Sequence, residues 1–270
     1  MLFAGLLHAG WHGMVKAGVD PAVNLAGMGI VASVAAISVL PFVPSPSAEV
    51  WPVLAASVGL HVGYKFCVAI AYANADLGQA FPLARGVVPL FATSIAFVAL
   101  GQVPSAGQCG GIGLISAGLL LLTFESLRGS FNGTLIAATA GAGLAVAGYS
   151  VLDAYGSRLA GNWVSFTAWL IVLDSLAFLL VTRMIRGREL WSTLLATKER
   201  VIVSGLLGLI SFGVFMWALS RNPVGPVSAL RETSVFFAIL IGILLHREAL
   251  SAKRVAASLL IVAGISTIAM

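Results

Sequence analysis

The chain has 270 residues, of which 59% are hydrophobic and 9% charged, with a formal net charge of +5. Soluble domains carry about 25% charged residues, so this composition excludes a water-soluble domain and indicates an all-α polytopic membrane protein. The basic residues gather between apolar spans, where they set topology, and no nucleic-acid partner is expected.

Ten apolar spans run over residues 2–15, 22–42, 50–73, 77–100, 107–124, 132–152, 163–182, 201–220, 224–245 and 252–269. A membrane helix needs about 20 residues. The first span falls short of that, so a natural start upstream, or a tilted or frayed end, is expected. No basic segment precedes it, so no cleavable signal pattern is expected. Turn residues such as Asp20-Pro21, Pro44-Ser45-Pro46 and Asn222-Pro223 separate the spans, and only the link from Arg183 to Arg200 is long.

Polar residues inside these spans mark candidate function, because an intramembrane charge must face other helices or a wet cavity. The first span carries His8, His12 and Lys16 as a stripe, with Trp11 beside it. The third places His61, Lys65, Val68 and Tyr72 at i, i+4, i+7 and i+11 of one helix. In the fourth, Pro82 and Pro89 flank Arg85 and are expected to bend or break the helix. The sixth offers Tyr149 and Asp153 at i, i+4, with Asp153 read as a helix-end residue. Asp174 sits at the centre of the seventh span, and Trp217 on the eighth is a candidate cavity wall. The ninth, Val224–Leu245, carries Arg231 and Glu232 a third of the way in. An arginine near the centre of such a helix costs about 2.5–3.5 kcal/mol to insert, so a lipid-facing pair is excluded. Gly107, Gly110, Gly111 and Gly113, like Gly141, Gly143 and Gly148, are expected to serve close helix packing.

An internal repeat is visible. A shift of 146 residues pairs Arg85 with Arg231, Phe91 with Phe237, Ala92 with Ala238 and Ala117-Gly118 with Ala263-Gly264. A shift of 138 pairs Gly5 with Gly143, Trp11 with Tyr149 and Asn24 with Asn162. Two five-helix repeats, 1–128 and 129–270, follow; because five is odd, the second enters the membrane in the opposite sense. The basic 7–8 and 9–10 links, whose first-half counterparts lack Lys and Arg, fit that inversion and place those links in the cytoplasm with both termini outside.

The stretch Val224–Gly264, its echo at Leu77–Gly118, and the openings "LHAGWHGMVKAG" and "AGYSVLDAYGSRLAG" resemble EamA-type members of the drug/metabolite transporter superfamily. That resemblance implies a ten-helix secondary carrier of two inverted repeats, often exporting small metabolites, with both termini in the cytoplasm. The family's Gly-Glu pair after the ninth span reads Arg247-Glu248 here, and its first-half counterpart reads Gly101-Gln102.

The expected function is alternating-access transport of an anionic or zwitterionic metabolite across the plasma (inner) membrane. Arg85, Arg231, Lys65, His61, Trp11, Tyr72, Tyr149 and Trp217 are the expected substrate-binding groups. Asp174, Glu232, Asp153 and His12 are the expected coupling or gating groups, with protons as the coupling ion and a homodimer as a further partner. In a competing structural reading, Arg231 pairs with Glu232 or Asp174, and Asp174 pairs with Arg85, Arg231 or Lys65. A lipid-handling protein using the same arginines in a lipid-open groove is the alternative function. Cys67 and Cys109 have no ligand spacing, no phosphate loop is present, and no acid/base constellation supports an enzyme, so no cofactor or metal is expected.

Overall fold

The computed structural model describes residues 1–75, 77–126, 132–238, 240 and 251–269, and the regular elements among them are helices. In chain order these are α1 (Leu2–Lys16), α2 (Pro21–Val39), α3 (Val50–Asn74), α4 (Leu77–Arg85), α5 (Val88–Leu100) and α6 (Ala106–Ser126). They continue as α7 (Gly133–Leu159), α8 (Trp163–Arg186), α9 (Glu189–Ala196), α10 (Lys198–Arg221), α11 (Val224–Arg231) and α12 (Ala252–Ala269). Seven stretches among the described residues are long and apolar enough to cross a membrane, and the protein is an integral membrane protein. Residues 239 and 241–245 at the end of the ninth span and the Arg247-Glu248 turn lie outside the described residues.

Capping explains several boundaries. Asp20 accepts from the backbone N–H of Ala22 and Val23, with Pro21 at the first helical position of α2. Asn132 and Asn162 cap α7 and α8 in the same way. Gly101 takes a left-handed φ of 63° at the end of α5, a conformation costly for any residue with a Cβ. The long basic link contains a helix that composition did not show, α9, whose Leu190 and Leu194 are buried.

The fourth apolar span is broken, as Pro82 and Pro89 suggest. Pro89 has no N–H to offer the carbonyl of Arg85, so α4 ends there and α5 starts at Val88. The fourth span, 77–100, is therefore two short helices. The ninth span breaks at the matching place without a proline. After Arg231, the N–H groups of Glu232, Thr233 and Val235 fold back on residues three behind, and the Thr233 hydroxyl donates to the Leu230 carbonyl.

One hydrophobic core joins α1, α2, α3, α7, α8 and α10, around Val15, Leu54, Phe166 and Phe178. A second joins α4, α6, α11 and α12 through Phe81, Ile115, Leu119, Ala229 and Ile261. The most extensive packing partners are α3 with α7, α6 with α12, α2 with α8 and α1 with α10.

Glycine permits the α6–α12 contact. A Cβ on Gly111 would stand 2.7 Å from the Gly264 carbonyl, and one on Gly264 would stand 2.6 Å from the Gly111 carbonyl. Gly141, Gly143 and Gly148 also lie against neighbouring helices, but Gly113 meets nothing within 4 Å, so its expected packing role is corrected. Gly111→Leu and Gly264→Leu should each cost about 1–3 kcal/mol through overpacking. In detergent, both should lower the thermal unfolding midpoint while Gly113→Leu leaves it near the parent's. Equal midpoints for all three would discount the contact.

Candidate functional site

Two charged clusters lie side by side inside the bundle. The first is centred on Arg85, at the end of α4 and 1% exposed. Its Nη1 donates to Glu232 Oε1 at 3.2 Å, and its Nη2 donates to the Tyr64 hydroxyl at 3.0 Å. Nη2 also lies 2.7 Å from His8 Nε2 and 3.3 Å from His12 Nε2. Trp11 Nε1 reaches His8 Nδ1 at 3.2 Å. A neutral imidazole accepts at one nitrogen only, so the Trp11 and Arg85 donors compete for His8. Behind them His12 stacks on Trp11 with ring centroids 3.5 Å apart and meets the Tyr72 hydroxyl at 2.6 Å. Glu232 Oε2 is buried without a hydrogen-bond partner.

The second cluster borders a cavity. Its walls come from α1 (His8, Trp11), α3 (His61, Tyr64, Lys65), α7 (Tyr149), α8 (Asp174) and α11 (Arg231), with an apolar side from α2 and α10. The volume is about 120 Å³, well above the ~10–15 Å³ that admits a single water. Arg231 donates to the Tyr149 hydroxyl at 3.1 Å and lies 4.1 Å from the centroid of Phe215. Among the described residues no carboxylate lies within ion-pair distance of Arg231. Lys65 on α3 forms an ion pair with Asp174 Oδ2 on α8, and Asp174 Oδ1 has no hydrogen-bond partner. His61 stacks on Tyr149 with centroids 3.9 Å apart and bonds Asp153 Oδ2 at 3.0 Å, while Ser57 donates to Asp153 Oδ1.

The structure therefore brings Arg231, Lys65, His61, Trp11, Tyr149 and Asp174 around one space. The two arginines do not share it. Glu232 is tied to Arg85 rather than Arg231, so among the described residues only one member of the expected symmetric pair has a carboxylate in ion-pair range. Tyr72 is corrected from cavity wall to buried support for His12, one layer back. Trp217 is corrected outright: it is 47% exposed and lies against Arg221, because its side of α10 points away from the bundle. Asp153 is not at a helix end. Helix α7 continues to Leu159, which leaves Asp153 at 0% exposure with both oxygens bonded.

Sequence reasoning missed Tyr64, which stands three residues after His61 on the stripe already identified. It also missed Phe215, whose apolar character carries no signal for a cation contact. A separate recess of about 300 Å³ near the Asp20–Arg186 ion pair is lined largely by apolar residues of α2, α3 and α8.

These features define a helical membrane protein whose buried charges surround a solute-sized cavity. A model described as the EamA-like transporter family matches residues 133–270, just over half of the chain. The chain belongs to the EamA-like transporter family and is a membrane transporter. A solved crystal structure, described only as a protein, is similar over 100% of this chain and 98% of its own, with a TM-score of 0.76 at 18% identity. At that identity the likeness concerns the fold alone. Among curated proteins none matches the chain.

Breaking a buried pair leaves an uncompensated charge and costs about 3–5 kcal/mol, whereas replacing both members by apolar groups is close to neutral. Glu232→Leu should thus destabilise the protein strongly, and Arg85→Met combined with Glu232→Leu should recover most of the loss. A double-mutant cycle in chemical denaturation checks this. Additive losses would show that the pair is not coupled.

Proposed function

We propose that this protein is a secondary transporter that moves a small organic anion or zwitterion by alternating access around the cavity, in the plasma membrane. The observation that carries the reading is Arg231, 7% exposed, bordering the cavity with no carboxylate among the described residues in ion-pair range. A guanidinium with no described carboxylate in ion-pair range, beside a solute-sized space in a low-dielectric bundle, favours an anion there. Its planar fork matches a carboxylate. Tyr149 and Phe215 hold that fork from two sides.

Two inverted five-helix halves, 1–128 and 129–270, supply the moving parts. Packing supports that division. Exchanging the halves converts the α3–α7 contact into α10–α1 and maps α2–α8 and α6–α12 onto themselves. Both arginine-bearing helices also break directly after the arginine. At the ends, Lys16 on α1 donates to the Tyr72 carbonyl near the end of α3, and Arg158 on α7 donates to the Leu219 and Asn222 carbonyls at the end of α10. Most of the cavity lining, including His61, Tyr149 and Arg231, is buried within the bundle, which supports a soluble solute over a lipid held in a lateral groove.

Purified protein screened by thermal shift against small carboxylates, phosphates and zwitterions, followed by liposome flux of the hits, tests the reading. Arg231→Gln should abolish stabilisation by the hits and cut flux at least about tenfold, the scale of one lost charge-assisted bond of about 1.5–3 kcal/mol. Trp217→Ala should behave as the parent. Undiminished binding and flux in Arg231→Gln would overturn the assignment.

A further inference from the structure

We propose that the recess between α2, α3 and α8 is a site for one acidic glycerophospholipid, with the phosphodiester on the Arg186 guanidinium and an acyl chain in the apolar trough beside it. The site is separate from the solute cavity and does not rest on the reading of Arg231.

The geometry starts at Asp20. Its Oδ1 is spent on the N-terminus of α2, accepting from the backbone N–H of Ala22 at 2.9 Å and of Val23 at 3.2 Å. Its Oδ2 accepts from Arg186 Nε at 2.7 Å. The carboxylate is thus fixed by its own helix, and it fixes in turn the last residue of α8. With the Arg186 side chain 43% exposed, the pair adds little stability. What it does is orient. A guanidinium held at Nε keeps Nη1 and Nη2 as a pair of donors, and among the described residues neither has a hydrogen-bond partner. Two parallel N–H donors match two oxygens of a phosphodiester.

The recess joins these two residues to an apolar trough of about 300 Å³ in all. Phe66, Ala69, Ile70 and Ala73 line it along one face of α3, with Ile185 from α8. Ala69 and Ala73 lie one turn apart, and their short side chains open the trough beside Phe66 and Ile70. Thr182, also in the lining, spends its hydroxyl on the Phe178 carbonyl. Ile70 and Ile185 are exposed, so the trough opens on the outer surface of the bundle. A small soluble anion would leave that apolar surface bare, whereas an acyl chain covers it.

Charge selects an acidic headgroup. Residues 16–20 and 183–200 meet at one end of the bundle. Arg200 donates to the Ala17 carbonyl at 2.8 Å, Arg186 pairs with Asp20, and α9 packs against α2. Together these residues carry six basic and three acidic side chains. A surplus of that sign draws an acidic lipid and is indifferent to a zwitterionic one. Trp191 is exposed on α9 among the same charges, and exposed tryptophans of membrane proteins favour the headgroup level. The arginine therefore stands at the depth of lipid phosphates, with the trough running from it along α3.

Native mass spectrometry of purified protein given phosphatidylglycerol or phosphatidylcholine, read beside the thermal unfolding midpoint, tests the site. We expect one phosphatidylglycerol retained per chain at a detergent concentration that strips phosphatidylcholine. A ligand that binds only the folded chain raises its midpoint, so phosphatidylglycerol should raise it and phosphatidylcholine should not. Arg186→Gln should weaken phosphatidylglycerol binding about tenfold, the scale of one lost charge-assisted bond. Ala69→Leu combined with Ala73→Leu fills the trough while Arg186 stays, and should release the lipid as well. Arg221→Gln, at the other end of α10, should retain it. Should Arg186→Gln fail to fold, the trough-filled variant decides. Equal retention of the two lipids by the parent would reduce the recess to a passing bilayer contact and overturn the proposal. Unchanged retention in Arg186→Gln or in the trough-filled variant would overturn it too. Displacement of phosphatidylglycerol by an equal concentration of glycerol phosphate would assign the arginine to a soluble anion instead. Lipid lost in Arg231→Gln but kept in Arg186→Gln would place it in the cavity, against both this site and the soluble-solute reading.

Discussion

The Arg85–Glu232 ion pair is the contact on which the arrangement of the interior depends. Each partner sits where a helix has broken, Arg85 as the last residue of α4 and Glu232 just past α11, so the pair joins the two interrupted segments to each other. A guanidinium this deep has no water to fall back on, and its donors must end on protein acceptors. Tyr64 and His8 supply the remaining ones, which draws α1 and α3 to the same point. The aromatic packing of Trp11, His12 and Tyr72 then follows from the need to close the space behind His8.

That pairing also makes the site asymmetric. The residue after Arg85 is Gly86, which offers no carboxylate, whereas the residue after Arg231 is Glu232. Among the described residues Glu232 is the carboxylate in ion-pair range of either arginine, and it pairs with Arg85. Arg231 is left with Tyr149 and the Phe215 ring, partners that orient a cation without neutralising it. Tyr149 is itself held by the stacked His61, which Asp153 and Ser57 fix from below. The polar residues of α3 and α7 thus act as one scaffold for the arginine contributed by α11.

Much of this was legible in the residues. Composition, span length and the arginine repeat located the helices and the two central cations, because charge inside an apolar run is rare enough to mark a position without any alignment. The depth of Lys65 and Asp174 was legible for the same reason. The choice of partners was not. Periodicity places His61, Lys65 and Tyr72 on one face of α3, but nothing local sets the rotation of that helix against α1 and α8, and a small rotation decides that Tyr72 backs His12 while Lys65 meets Asp174. Asp153 was misread because its helix runs seven residues beyond the apolar span that marked it, so its end was taken for the helix end. Trp217 failed for a similar reason, since an aromatic in an apolar helix looks the same whether it faces lipid or cavity. The break after Arg231 had no proline to announce it.

Three acid–base pairs in one bundle are not an efficient route to stability. Desolvation consumes most of what the attraction returns, and apolar side chains of similar volume would hold the helices as well. What the pairs add is a graded set of attachments. Asp153 is bonded at both oxygens, by Ser57 and His61. Glu232 is bonded at one, and its free oxygen is enclosed away from the cavity. Asp174 is bonded at one and borders the space a solute would enter. A carboxylate bonded at both oxygens is fixed by its neighbours, while one held at a single oxygen keeps its position only through its cation. The gradient from α7 to α8 therefore separates a carboxylate locked by two neighbours from one whose place beside the cavity depends on Lys65.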